Sequence, residues 1–157
     1  RFLYKRATEY KKRTGGKIFS DCIELEKKQG VRYVGKTGDW EWLAAYAPEG
    51  FYELWAILPG QFSIPALGEP EWEHLSRGVL KAQRFYRSLY RNGYNLGLLS
   101  VEAPDNRFLE LRCVMLVRSN YAEWVRNDHS GFEVMLGDMT TFSSPEETSV
   151  LAREFWK

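Results

Sequence analysis

The run from Phe108 to Arg118 reads Phe-Leu-Glu-Leu-Arg-Cys-Val-Met-Leu-Val-Arg. Side chains two apart share one face of a strand, and neighbours point to opposite faces. Leu109, Leu111, Cys113, Met115 and Val117 therefore form one wholly apolar face, which reads as core. The other face carries Phe108, Glu110, Arg112, Val114 and Leu116. A carboxylate and a guanidinium on an otherwise apolar face have two readings. Either they pair, with each other or with neighbours, or they line a cleft.

That strand needs a sheet to lie in, and the rest of the chain supplies one. Val31–Lys36, Trp40–Tyr46 and Phe51–Leu58 read as three strands. The turn signals Thr37-Gly38-Asp39 and Pro48-Glu49-Gly50 separate them, which suggests an antiparallel meander. Tyr94–Glu102 is a fourth strand, joined through a turn at Pro104-Asp105-Asn106 to the fifth, Phe108–Arg118. Between the third and fourth lies the clearest periodic element, a helix over Pro70–Arg91. Leu75, Val79, Ala82, Phe85, Tyr86, Leu89 and Tyr90 fall on one arc of it. Gly78 sits in that arc and predicts a close approach to the sheet. Arg77, Lys81, Arg84, Arg87 and Arg91 fall on the opposite arc, with Leu80 as the one apolar intruder.

Shorter helices flank these elements. Residues 1–17 form a basic segment with one acid, Glu9, and a helix that stops at Gly15-Gly16. Ser20-Asp21 is read as the cap of a second helix that ends at Gly30. Ser119–Arg126 is read as a short helix and Phe132–Leu136 as a short apolar segment, with His129 in the loop between them. Ser144, Pro145 and Glu147 form the signature of a capped helix start, and that helix runs to about Phe155. The expected fold is α+β: a five-stranded antiparallel sheet, a long helix between strands three and four, and shorter helices around it.

With 157 residues, 44% of them hydrophobic, the chain suits one domain spanning residues 1–157 with a sizeable core. A net charge of +1 gives no overall drive toward nucleic acid or membrane. No apolar run is long enough to span a bilayer and no signal-peptide pattern opens the chain, so a cytoplasmic protein is expected. The opening residue is Arg1, not methionine, which suits a piece of something longer. The two cysteines, Cys22 and Cys113, require no oxidising compartment. His74 and His129 are far apart and share no ligand spacing with the cysteines, so no metal site and no cofactor are expected. Phosphate-binding loop, dinucleotide and nucleophile-elbow patterns are absent. The basic arc of the long helix reads first as a solvated face, and alternatively as a docking face for an acidic partner or nucleic acid.

The order of elements resembles the galactose-1-phosphate uridylyltransferase family of the histidine-triad (HIT) superfamily, and one lobe of that two-lobed enzyme in particular. The resemblance is carried by Asp21-Cys22-Ile23 with Glu26, then by Gly30-Val31-Arg32-Tyr33-Val34 and Tyr52-Glu53-Leu54-Trp55-Ala56-Ile57-Leu58-Pro59. The long helix, Tyr94-Asn95-Leu96, Leu116-Val117-Arg118, Gly131-Phe132-Glu133 and Ser144-Pro145-Glu146-Glu147 follow in the family's order. In that family the fifth strand bears a His-x-His pattern a few residues before a Pro-Arg pair, and one histidine attacks the phosphorus of a nucleotide sugar. Aligning Arg118 with that arginine puts Glu110 and Arg112 at the histidine positions. The family's Pro-x-x-His after the third strand reads Pro59-Gly60-Gln61-Phe62 here, and its Cys-x-x-Cys pair reads Phe19-Ser20-Asp21-Cys22.

The resemblance therefore implies the HIT-like fold without the family's nucleophile. The expected function is that of a catalytically degenerate domain that binds a nucleotide or sugar phosphate, or serves as an assembly lobe. Glu110, Arg112, Arg118 and Glu133 are the candidate ligand-binding residues. Arg112 would hold a phosphate, and Glu133 matches a family glutamate that contacts a sugar hydroxyl. No catalytic residue is assigned. Two alternatives stand beside this: an active nucleotidyltransferase or hydrolase whose nucleophile comes from a second lobe or a homodimer, and a protein or nucleic-acid interaction module built on the basic helix face.

Overall fold

The computed structural model describes residues 2–103, 105–118, 141 and 143–157. A five-stranded antiparallel sheet organises them. Its strands are β1 (Tyr33–Thr37), β2 (Trp40–Ala44), β3 (Phe51–Leu58), β4 (Tyr94–Leu99) and β5 (Leu111–Val117), in the spatial order β1-β2-β3-β5-β4. The helices are α1 (Phe2–Thr14), α2 (Ile18–Gln29), α3 (Glu69–Ser88) and α4 (Pro145–Arg153). The α+β reading, the antiparallel meander and the long helix between the third and fourth strands all hold. The short elements read between Ser119 and Leu136, with His129, Phe132 and Glu133, lie outside the described residues.

The alternation in β5 sorts the sheet into two faces, as its sequence requires. Leu111, Cys113, Met115 and Val117 are buried, while Arg112, Val114 and Leu116 are only partly so. The buried set joins Trp42, Leu54 and Ala56 in the main core, against Phe85 and Tyr86 of α3 and Ala152 of α4. Phe19 and Ile23 of α2 and Ala7 of α1 cover the opposite face over Leu43 and Ile57.

The approach of α3 to the sheet rests on Gly78. A Cβ built there would stand 2.2 Å from Cζ2 of Trp42. That ring is fully buried and is fixed by its Nε1–H donating to Thr37 Oγ1 at 2.8 Å. Tyr86 of α3 reaches across the core, where its hydroxyl lies 3.1 Å from the carbonyl of Tyr52 and 3.2 Å from that of Met115. At the other end of the chain, α4 begins as its sequence predicts. Ser144 Oγ accepts from Glu147 N–H, and the Glu147 carboxylate accepts from Ser144 N–H. Arg153 of α4 then donates to the carbonyls of Gly30, Val31 and Tyr33, which ties this last helix to the first strand.

Several boundaries differ from the sequence reading by a few residues, and three of them bear on the site. The fifth strand enters the ladder at Leu111, and the fourth leaves it at Leu99, so both are shorter than their apolar runs. The second helix starts at Ile18, ahead of Ser20-Asp21. Ser20 is therefore inside its first turn and does not cap it; the group that does comes from a distant part of the chain and is described below.

Gly78→Ala should destabilise the fold. Relief of glycine's backbone entropy favours alanine by roughly 1 kcal/mol, but the Trp42 ring has no room to move and overpacking costs about 1–3 kcal/mol. A net loss is expected in chemical denaturation, with the transition midpoint shifted down at unchanged slope. A rise in the midpoint would show that α3 does not seat on Trp42.

Candidate ligand-binding site

Glu110 and Arg112 do not pair. Glu110 precedes the ladder of β5 and is 1% exposed. Its Oε2 accepts from Ser20 N–H at 3.1 Å, and its Oε1 accepts from the Ser20 hydroxyl and from Gly60 N–H at 3.2 Å. Ser20 N–H is one of the donors that the first turn of α2 leaves without an intrahelical acceptor. Lys17, at the cap position, supplies no side-chain acceptor. Glu110 thus caps α2 from across the structure and places a negative charge at its positive end. The same carboxylate pins the turn after β3 through Gly60. Lys17 stands over the Phe62 ring, its Nζ 5.1 Å from the centroid and 4.0 Å from Glu110.

Arg112 turns instead to aromatic rings. Its guanidinium carbon lies 4.3 Å from the Trp55 centroid and 5.2 Å from that of Phe19. Trp55 and Arg112 lie on the same sheet face, where Trp55 is paired with Val114 and Arg112 with Ile57. Phe19 comes from α2, the helix that Glu110 fixes. The Nε–H of Arg112 is buried and has no hydrogen-bond partner. Burial pulls the guanidinium below its ordinary pKa, opposed by the negative charges of Glu53 and Glu49. A desolvated cation with an unused donor retains hydrogen-bonding capacity.

Glu53 is the carboxylate of this neighbourhood. It is 5% exposed and accepts from Trp55 Nε1–H at 2.5 Å and from Glu49 N–H at 2.6 Å. Burial raises its pKa, and the two donated hydrogen bonds pull the other way. The backbone beside it is irregular. The pairing of β3 with β5 slips between Phe51 and Leu54, and Tyr52 holds a φ of 50°. Bulges of this kind re-aim side chains, and here the slip falls beside Glu53. Beyond Trp55 the sheet face stays partly open over Val114 and Leu116, and it dips at Gly97, which pairs with Val114 and has no side chain. The result is an apolar shelf with one guanidinium at its border. From the sequence Glu53 is one of several strand carboxylates that could reach a cleft but is not among the ligand-binding candidates, and the Trp55 shelf is not named. The signal available was the i, i+2 spacing of Glu53 and Trp55 on the strand.

The remaining sequence-named residues are placed elsewhere. Arg118 follows β5 at its far end, about 20 Å of strand from Arg112, with its N–H donating to Gly93 O at 3.0 Å. Glu133 lies outside the described residues. Cys22 and Cys113 are unpaired, and burial pushes the Cys113 thiol up to about 12. The His74 ring packs against the β1–β2 turn, where a Cβ on Gly38 would fall 1.9 Å from its Nδ1. Among the described residues no three histidine, cysteine or acidic side chains stand close enough to share a metal ion. None of the described helices is long and apolar enough to cross a membrane.

No family model matches the sequence. A curated relative, an uncharacterized protein of Archaeoglobus fulgidus, is 26% identical over 150 residues, covering 96% of this chain and 44% of that protein. Among solved structures, a uridylyltransferase superposes with a TM-score of 0.75 at 13% identity, covering 98% of this chain and 49% of that one. The Arabidopsis thaliana ADP-glucose phosphorylase, solved with bound ADP-glucose, gives a TM-score of 0.73 at 16% identity over 94% of this chain and 46% of that one. A HIT-like protein of Bartonella henselae, involved in cell-cycle regulation, gives 0.57 at 16% identity over 88% of this chain and 95% of that one. The chain therefore has the HIT-like fold of a single uridylyltransferase-type lobe, and it spans about half the length of the longer proteins it matches.

Two measurements test the site's internal logic. Glu110→Ala strips the α2 cap and leaves the donors of Ser20 and Gly60 unmet, so unfolding free energy should fall by about 1–3 kcal/mol; an unchanged denaturation midpoint would remove Glu110 from the scaffold. Glu53 sets a pH trend. Its folded pKa is raised above the ordinary 4.5, so its contribution to stability is complete below that value and is lost as pH rises through the folded pKa. Glu53→Gln should flatten the decline in stability above pH 4.5; an identical pH profile in the variant would place the titration elsewhere.

Proposed function

We propose that this chain is a catalytically degenerate HIT-like domain that binds a nucleotide or sugar phosphate on the β5 face, with Arg112 as the phosphate contact. The observation that carries the reading is the Arg112 guanidinium, stacked on Trp55 with a buried Nε–H that has no acceptor. Its place in the chain adds weight, because the family resemblance puts Arg112 at one of the two histidine positions of the fifth strand. The ADP-glucose bound to the Arabidopsis neighbour makes a sugar nucleotide the first ligand to try.

The chemistry of these residues favours binding over turnover. A guanidinium stays protonated and is no nucleophile. The carboxylate at the other histidine position, Glu110, already accepts three hydrogen bonds from α2 and the β3 turn. In this reading Glu110 supports the cleft from behind, while the open Trp55–Val114 shelf offers an apolar surface for a flat ring. Arg118 and Glu133 complete the proposed set, Arg118 at the far end of β5 and Glu133 toward a sugar hydroxyl, as the resemblance implies.

A second reading is favoured by length. The uridylyltransferase and the phosphorylase are about twice as long as this chain, so a second lobe could bring the missing nucleophile to an active enzyme. The nucleic-acid reading draws less support. Arg77 is engaged with Glu73 and Lys81 with the carbonyl of Phe155, which occupies part of the basic arc.

The test is titration calorimetry with ADP-glucose, UDP-glucose and UMP. Arg112→Ala should weaken binding about 10- to 100-fold, as expected for a charged hydrogen bond of about 1.5–3 kcal/mol. Binding that ignores Arg112→Ala would overturn the cleft. Turnover of a nucleotide sugar by the purified chain would overturn its degenerate character.

A further inference from the structure

The end of α3 and the start of β4 border a cavity that the Arg112 site does not use. It measures about 320 Å³ and is lined by Gln83, Tyr86, Arg87, Arg91, Asn92 and Tyr94. That volume is at the lower end of the range for small-molecule sites. The cavity lies on the α3 side of the sheet. Tyr94 is level with Val117 on β5, so the two share a face, and both pack in the main core. Arg112 is level with Ile57, which belongs to the opposite face.

The way α3 ends builds this cavity. Leu89 N–H and Arg91 N–H both donate to Tyr86 O, at 3.1 and 2.9 Å, and Tyr90 N–H donates to Arg87 O at 2.9 Å. Tyr90 holds a φ of 57°, at the left-handed position that glycine usually fills in such helix ends. A tyrosine bears backbone strain there. The reversal brings Arg91 and Asn92 to the same cavity as Arg87. Bases at the end of a helix answer its dipole, which accounts for the cations but not for their sharing a cavity. None of the six lining residues is acidic, so none offsets the positive charge of Arg87 and Arg91. The carbonyls of Tyr86 and Arg87, which repel an anion, already accept the N–H groups of the reversed chain. The neutral lining groups add donors. Gln83 Nε2–H donates to the Tyr94 hydroxyl oxygen, which leaves the hydroxyl hydrogen for a further acceptor. The Tyr86 and Tyr94 rings, 6.2 Å apart at their centroids, give the cavity an apolar side.

We propose that this cavity is a second binding site, which takes a small phosphate monoester with a hydroxyl-bearing body. The guanidinium groups of Arg87 and Arg91 hold the phosphate by charge-assisted hydrogen bonds, for which their planar forks are suited. The Tyr94 hydroxyl gives a third donor. The side-chain amides of Gln83 and Asn92 can both donate and accept, which matches the hydroxyl groups of the organic part. A nucleic acid strand is bound along a groove that tracks its backbone with successive cations, whereas two arginines at one cavity of this volume suit a single compact phosphate. The site is independent of the Arg112 reading, because the two lie on opposite faces of the sheet.

Amide NMR titration of the full chain tests it, with glucose 6-phosphate, glycerol 3-phosphate, inorganic phosphate and glucose as probes at constant ionic strength. Saturable shifts of the Asn92, Gly93 and Tyr94 amides are expected with the two esters and none with glucose. Arg87→Ala and Arg91→Ala should each weaken ester binding about tenfold. Arg87→Lys, which keeps the charge without the fork, should weaken it less. Arg112→Ala should leave these three amides responding as in the parent, so that failure at one face is told apart from failure at the other. Arg87 is exposed, and circular dichroism checks that each variant is folded. Shifts that do not saturate with either ester, affinity indifferent to Arg87→Ala, or inorganic phosphate bound as tightly as the esters would overturn the proposal.

Discussion

The arrangement of this domain depends on one buried carboxylate. Glu110 sits where three elements meet: the first turn of α2, the turn that follows β3, and the lead into β5. Burying a carboxylate is unfavourable unless its oxygens are bonded, and here the helix end and a turn amide supply the donors. The exchange is reciprocal. The helix lacks a cap of its own because Lys17 occupies that position, and a cation there opposes the helix dipole. Glu110 answers the open amide and the dipole together. Because it fixes α2, it also fixes Phe19, and so one of the two rings beside Arg112. The scaffold and the candidate site share this anchor.

Much of the fold was legible because its determinants are periodic and local. The two-residue alternation of β5 sorted core from cleft, since a one-residue slip would reverse every side chain. Gly78 announced a close approach because it interrupts an apolar helical arc, and it meets Trp42. The capping box at Ser144 is written within four residues of sequence. What stayed hidden depends on long-range partners. Spacing alone made Glu110 and Arg112 an obvious pair. However, the ladder begins at Leu111, so Glu110 lies outside the strand and is free to turn toward a serine ninety residues earlier. The start of α2 was misplaced for the same reason, since its cap is not in its own sequence. The partners of Arg112 are rings on other elements, Trp55 on β3 and Phe19 on α2, and no pattern within β5 points to them.

The aromatic setting of Arg112 decides what the proposed site could hold. Had Arg112 paired with Glu110, both charges would be neutralised and the cleft would be closed to an anion. Stacking on Trp55 contributes about half to two kcal/mol as a cation–π contact, without consuming the guanidinium's in-plane donors. The arginine is thus held in place, yet keeps donor capacity, and its Nε–H is already stripped of water. Glu53, which accepts from the Trp55 indole N–H, moderates the positive charge through space.

In the proposed reading a nucleotidyltransferase-type scaffold keeps a ligand while losing the reaction. Catalysis requires interactions that are stronger in the transition state than in the ground state. A histidine nucleophile meets that requirement by forming and breaking a bond to phosphorus. A guanidinium can stabilise phosphate charge in both states, but it has no free electron pair with which to form the covalent intermediate. With Glu110 turned inward to hold α2, nothing on the described β5 face supplies a free electron pair to phosphorus. In the proposed reading β5 therefore serves the retention of a ligand and not its turnover.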